Sequence, residues 1–173
     1  CILIVDDIQL NRELLVDLLE PNGYRTIQAE DGLQALEIIG ESSPDLVLLD
    51  IMMPRMNGFE VCKAMKSSLA TSFIPVVMIT ALDDKKDKIR GIEAGADDFI
   101  NKPFDQEALI SRVRSLMKMK TLHESFEKER HIVDTLLHCI LPSKIIEELK
   151  QHGFVKPRRY NNVTVLFCQG DFI

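Results

Sequence analysis

Five short apolar runs recur along the chain, and each is followed by a stretch of helical spacing. ILIV (Ile2–Val5) is continuous rather than alternating, as for a strand buried on both faces. From Ile8 to Leu19 the positions Leu14, Leu15, Leu18 and Leu19 share one helical stripe, and Pro21-Asn22-Gly23 ends it. Tyr24–Ala29 predicts a second strand, and Gly32–Ile39 a helix through Leu33, Leu36 and Ile39. Leu46–Leu49 predicts a third strand, with Asp50 directly after it. MMPRMNG is a loop, punctuated by Pro54 and Asn57-Gly58. Phe59–Met65 is helical, Ile74–Ile79 a fourth strand, DDKKDKIRGIEAGA a charged helix, and Asp98–Ile100 a short fifth strand.

Strands alternating with helices predict an α/β fold. The expected architecture is a doubly wound, five-stranded parallel sheet of the flavodoxin type, with right-handed crossovers. About 120 residues complete it, within the usual size range of a domain.

Helical pattern resumes at Asp105 and meets no Pro or Gly until Pro142. A helix from Asp105 to Ile140 would be about 54 Å long at 1.5 Å per residue, too long to lie on one small domain. Leu122, Phe126, Glu129, Val133, Leu136 and Ile140 follow heptad spacing with one polar member. Leu109, Val113 and Leu116 follow another phase, so the register breaks near Lys118–Lys120. The flanking charges ESFEKER suit a parallel two-stranded coiled coil. The expectation is a homodimer through residues 105–141, the alternative being one amphipathic helix packed on another partner. Beyond Pro142, SKIIEELKQ predicts a short helix and Asn161–Phe167 a strand.

Composition narrows the class. Apolar residues make up 46% and charged residues 28%, ordinary for a globular protein. No apolar run approaches membrane-helix length, so no membrane association is expected. The chain begins at Cys1 inside a strand pattern and is read as a piece of a longer protein. Cys1, Cys62, Cys139 and Cys168 show no paired spacing, which favours reduced thiols and the cytoplasm. Residues 1–120 carry 14 Lys+Arg against 20 Asp+Glu, whereas residues 121–173 carry 7 of each. Bulk charge therefore argues against nucleic acid, and KPRRY (Lys156–Tyr160) is the one basic cluster.

Asp6, Asp7, Asp50, Thr80 and Lys102 lie at or next to strand ends that a parallel sheet points the same way. Three are carboxylates, and two carboxylates about 4 Å apart repel by roughly 4 kcal/mol at an effective dielectric of 20. An oxygen-only cluster of this kind suits Mg²⁺. Metal, lysine and hydroxyl around Asp50 make a place to put a phosphoryl group. His123, His131, His138 and His152 read as solvated helix positions; His123-Glu124 loosely resembles a kinase phosphoacceptor motif but has no nucleotide-binding segment beside it.

Residues 1–120 resemble a receiver domain of two-component response regulators. The resemblance rests on VDD with Asn11, LLDIMMPRMNGFE, VVMITA and GADDFINKPF. It implies that Asp50 is the phosphoacceptor and that a histidine kinase is the donor. It further implies Mg²⁺ ligation by Asp7, Asp50 and the backbone carbonyl of Met52, with Asp6 acting largely through water or from behind the direct ligands. Thr80 is then the hydroxyl that senses the phosphoryl group, Phe99 an aromatic switch, and Lys102 a charge partner followed by a cis bond to Pro103.

Leu136–Phe167 is similar to the signalling helix and first strand that lead into class III adenylate/guanylate cyclases. There an LLxxxLP element ends the helix and a strand of the VTVLF type follows. The family's first metal-binding Asp would fall at Gln169, and Asp171 is displaced by two. The fragment is therefore not expected to be an enzyme, although its parent is read as a cyclase. The predicted division is a receiver at 1–120, a signalling helix at 121–141 and a truncated output domain at 142–173. The rival readings are a stand-alone interaction module and a DNA-binding output using KPRRY.

Overall fold

The computed structural model describes residues 1–80 and 85–156. They divide into two compact units, Cys1–Phe126 and, from Glu127 onward, a smaller second unit.

In the first unit, β1 (Ile2–Val5), β2 (Thr26–Ala29), β3 (Leu46–Asp50), β4 (Val76–Thr80) and β5 (Asp98–Asn101) form one parallel sheet in the order β2-β1-β3-β4-β5. The chain leaves β1 in one direction to reach β2 and returns across it to β3. That reversal makes the carboxyl ends of β1 and β3 the switch point, where such sheets hold their ligands. The three inner strands β1, β3 and β4 are fully buried because helices cover both faces, which is why their sequences are almost continuously apolar.

Alternation of side chains along each strand divides the core in two. Leu3, Val5, Val47, Leu49 and Met78 face α2 (Gly32–Ser42) and α3 (Gly58–Ser67) through Ala35, Ile39, Val61 and Met65. Ile2, Ile4, Leu46, Leu48, Val77, Ile79 and Ile100 face the other way, onto Leu15 and Leu19 of α1 (Gln9–Leu19) and Leu109, Ile110 and Val113 of α5 (Gln106–Ile140). Between β4 and β5 lies α4 (Lys85–Glu93).

Local chemistry sets the boundaries. Asp31 caps α2, accepting from the N–H groups of Leu33 and Gln34. Asn57 and Glu60 form a reciprocal capping box at α3. The second strand begins two residues later than its apolar pattern suggests, because Pro21 sits in a 3-10 turn and Gly23 turns the chain at φ 85°. The fourth begins at Val76 because Ile74 closes a turn onto Thr71 and Pro75 offers no N–H.

The helix predicted from Asp105 is continuous to Ile140. Its first turns are committed to the domain: Leu109, Ile110 and Val113 are buried against the sheet. At the predicted register break the chain places Lys120, buried to 7% exposure, with Nζ 2.6 Å from Asp45 and 3.3 Å from Glu124. In the second unit, α6 (Ser143–His152) buries Ile146, and Lys150 pairs with Asp134. No helix among the described residues is long and apolar enough to cross a membrane. The predicted strand Asn161–Phe167, with Cys168, Gln169 and Asp171, lies outside the described residues.

Candidate functional site

Parallel strands end together, so Asp6 (after β1), Asp50 (last of β3), Thr80 (last of β4) and Lys102 (after β5) meet at one edge of the sheet. Asp6, Asp50 and Thr80 are buried, at 2%, 7% and 2% exposure. Lys102 Nζ reaches both acids, 2.8 Å from Asp6 Oδ2 and 2.6 Å from Asp50 Oδ1. Its backbone N–H donates to the Thr80 carbonyl at 2.7 Å, which fixes where the side chain starts. The Lys102–Pro103 peptide bond is cis.

Asp6 is heavily used. Oδ1 accepts from the Ile8 N–H and from Asn11 Nδ2, while Oδ2 accepts from Asn11 and Lys102. Asp7 points to solvent. Asp50 is held at both oxygens, by Lys102 at Oδ1 and by the Met52 N–H at Oδ2, 2.7 Å away. The carboxylate is thus fixed in orientation at the floor of an open edge.

Electrostatics follow from the placement. Burial is the main reason the Asp50 carboxyl titrates above its ordinary range, and neighbouring Asp6 adds to it, while Lys102 and the Met52 N–H oppose it. Burial alone would lower the Lys102 ammonium, but its bonds to Asp50 and Asp6 outweigh that and push it upward. Lys102 therefore stays charged and offsets one of the two buried acids. Among the described residues no three His, Cys, Asp or Glu side chains approach closely enough to form a preassembled metal cage. The donor set around Asp50 is all oxygen, and one buried carboxylate charge is left uncompensated. That chemistry fits a divalent cation that keeps most of its own waters.

The loop carrying Met52 is tightly built. Gly58 N donates to the Ile51 carbonyl at 3.0 Å, and a Cβ on Gly58 would stand 2.3 Å from the Asp50 carbonyl oxygen. Arg55, at φ 67°, pairs with buried Asp31 Oδ2 across to the start of α2. The Arg55–Asp31 pair and the glycine approach are absent from the sequence reading. The Asp31-Gly32 helix start was the one local signal for the former. Phe99 is half-buried on β5, packed with the α3 side of the core.

The family model for the response regulator receiver domain matches residues 2–114. The chain belongs to that family. Receiver domains are phosphoacceptors that interact with histidine kinases and generally bind Mg²⁺ at the phosphorylation site. Among relatives, the response regulator PleD of Caulobacter vibrioides is 49% identical over 119 residues, covering 69% of this chain and 26% of PleD. The DNA-binding dual master transcriptional regulator RpaA of Synechocystis is 35% identical over 183 residues, covering 86% of this chain and 76% of RpaA. The receiver domain of a signal transduction histidine kinase from Syntrophus aciditrophicus superposes with a TM-score of 0.65 at 38% identity, covering 68% of this chain and 89% of that one. The chain thus spans about a quarter of the length of PleD and three quarters of RpaA.

Proposed function

We propose that Asp50 accepts a phosphoryl group from a phosphohistidine on a partner kinase and that the chain relays this event through α5. The observation that carries the proposal is the fixed Asp50 carboxylate. It lies at the switch point of the sheet, each oxygen hydrogen-bonded, with a lysine that already bridges two acids. Transfer breaks the P–N bond to the donor imidazole and forms a P–O bond to Asp50. The electron pair stays on the imidazole nitrogen, which then takes a proton. Such transfers need in-line positioning and charge neutralisation more than covalent chemistry. Asp7, Asp50 and the Met52 carbonyl would hold Mg²⁺, with Asp6 in support, and the bound ion offsets phosphoryl charge.

Lys102 then pairs with a phosphoryl oxygen, relaxing its grip on Asp6. Thr80 bonds another oxygen only when the group is present, so it biases a two-state equilibrium. Phe99 is the aromatic side chain that responds. A titration with beryllofluoride and Mg²⁺ tests this: one saturable site is expected, and Asp50→Asn responding like wild type would refute it.

The relay is read as dimeric. Leu122, Phe126, Val133, Leu136 and Ile140 are all exposed, at 51–77%. A heptad row of bare apolar side chains suits a second copy of the same helix. The buried Leu109, Ile110 and Val113 narrow this seam to residues after Lys120, rather than the whole of 105–141. The output is read as a class III nucleotide cyclase in the parent, supported by the Leu136–Phe167 pattern alone. A second reading, a DNA-binding output, is supported by the similarity to RpaA running over 86% of the chain. A salt-dependent duplex-binding assay separates them: binding at physiological salt favours the second, and its absence favours the first. A cytoplasmic location accompanies either.

A further inference from the structure

Gly91 stands in the interior of α4, where glycine is disfavoured relative to alanine. Its reason is steric. A Cβ there would lie 2.4 Å and 2.5 Å from Cε1 and Cζ of the Phe99 ring and 2.9 Å from Met78 Sδ. Those are contacts that real Cβ atoms do not make. The ring therefore occupies the space that any other residue at 91 would fill. By contrast Gly40, in α2, has no heavy atom within 4 Å of such a Cβ. Gly32 and Gly58, at the first turns of α2 and α3, are crowded chiefly by a loop and by strand-end backbone, whereas the closest atoms at mid-helix Gly91 belong to the Phe99 ring.

Strand register links this seat to the phosphorylation site. Met78 pairs with Phe99 and Thr80 with Asn101, so Phe99 and Thr80 project from the same face of adjacent strands, two residues apart along each. A Thr80 side chain drawn toward a phosphoryl group on Asp50 vacates volume on that face. A ring seated beneath α4 is placed to keep it filled.

We infer that Gly91 is a positioning residue for the switch: its missing side chain is the seat that holds the Phe99 ring beneath α4. The inference rests on the proposed role of Phe99. It adds that α4, through one backbone position, decides which ring orientation is available. Filling the seat should turn the ring outward and disfavour the state that binds a phosphoryl mimic.

The test uses the full chain with ¹³C-labelled phenylalanine, in wild type, Gly91→Ala, Phe99→Ala, the Gly91→Ala/Phe99→Ala double variant and Gly40→Ala. Phe99 ring resonances and beryllofluoride affinity in Mg²⁺ are both read. Gly91→Ala should move the Phe99 resonances and weaken beryllofluoride binding about fivefold or more, the lower end of ordinary coupling between sites. In the Phe99→Ala background the same substitution should change affinity less than about twofold, and Gly40→Ala should change neither readout. If Gly91→Ala fails to fold while the double variant folds, the steric seat is supported. Unmoved Phe99 resonances, equal weakening in both backgrounds, or a double variant that also fails to fold would overturn it. Absence of beryllofluoride saturation in wild type would instead strike the phosphoacceptor reading, and the ring resonances alone would then judge the seat.

Discussion

Replacing Lys102 by methionine removes the ammonium that bridges Asp6 and Asp50 while keeping the aliphatic length of the side chain. The two ion pairs, at 2.8 and 2.6 Å, each carry roughly 6 kcal/mol of attraction at an effective dielectric of about 20, before desolvation is subtracted. Removing one partner of a buried pair costs about 3–5 kcal/mol, because a charge is left unpaired. The acids are buried but the Lys102 side chain is 24% exposed, so water screens part of the effect and about 3 kcal/mol is expected. That is a large share of a typical domain stability of about 5–15 kcal/mol. Urea denaturation followed by circular dichroism should show the midpoint falling by about 1–3 M, for a slope of about 1–3 kcal/mol per M. Adding Asp50→Asn should recover more than half of the loss, since it removes one of the two stranded charges. Mg²⁺ should stabilise Lys102→Met more than wild type, because the cation takes over the ammonium's task. A loss under about 1 kcal/mol, or no recovery with Asp50→Asn, would refute this account of the site.

Three further outcomes follow from other parts of the chain. Burial pushes the Cys62 thiol up to about 11, so Ellman's reagent at pH 8 should modify exposed Cys139 quickly and Cys62 only on unfolding; rapid native modification of Cys62 would contradict the packing under α3. Burial alone would raise Asp45, but the Lys120 ammonium and the α-ammonium of Cys1 together outweigh it and hold the carboxyl below its usual range. Its contribution should be complete above the unfolded value of about 3.9 and lost as pH falls through the lower folded value. With Asp45 40% exposed, Asp45→Asn should cost only about 0.5–1 kcal/mol at pH 7, shrinking below about pH 4, and a cost independent of pH would exclude the ion pair as its cause. Serine at Leu122, Phe126 and Val133 together should weaken self-association at least tenfold in sedimentation, and an unchanged dimer strength would remove the coiled-coil reading.

The fold was legible because its strongest signals are local. Continuous apolar runs demand strands covered on both faces, and the intervening stripes supply helices to cover them. Strand ends then follow from topology, which is why Asp6, Asp50, Thr80 and Lys102 could be grouped from positions scattered over about a hundred residues. What sequence pattern did not carry was the pairing of side chains across that edge. Asp6 read as a member of a metal-seeking carboxylate cluster. In the fold its oxygens are taken by Asn11, the Ile8 N–H and Lys102, and the lysine itself does part of the cation's work. Arg55 reaching Asp31 joins two loops that no periodicity connects. Gly91 looked like one more residue of a charged helix, since close approach of a ring from a later strand leaves no mark in the spacing. Lys120 shows the intermediate case: the change of phase near it was visible in the spacing, but its burial and its reach back to Asp45 depended on the tertiary structure.

The central claim is that Asp50 receives the phosphoryl group. Incubation of the chain with a small-molecule phosphodonor and Mg²⁺, followed by intact-mass and peptide mass spectrometry, tests it most directly. One phosphoryl group, released by alkali and by hydroxylamine as an acyl phosphate is, should appear on the peptide containing Asp50 and vanish in Asp50→Asn. Labelling of Asp50→Asn to the wild-type extent, or no labelling of the wild-type chain, would contradict the account.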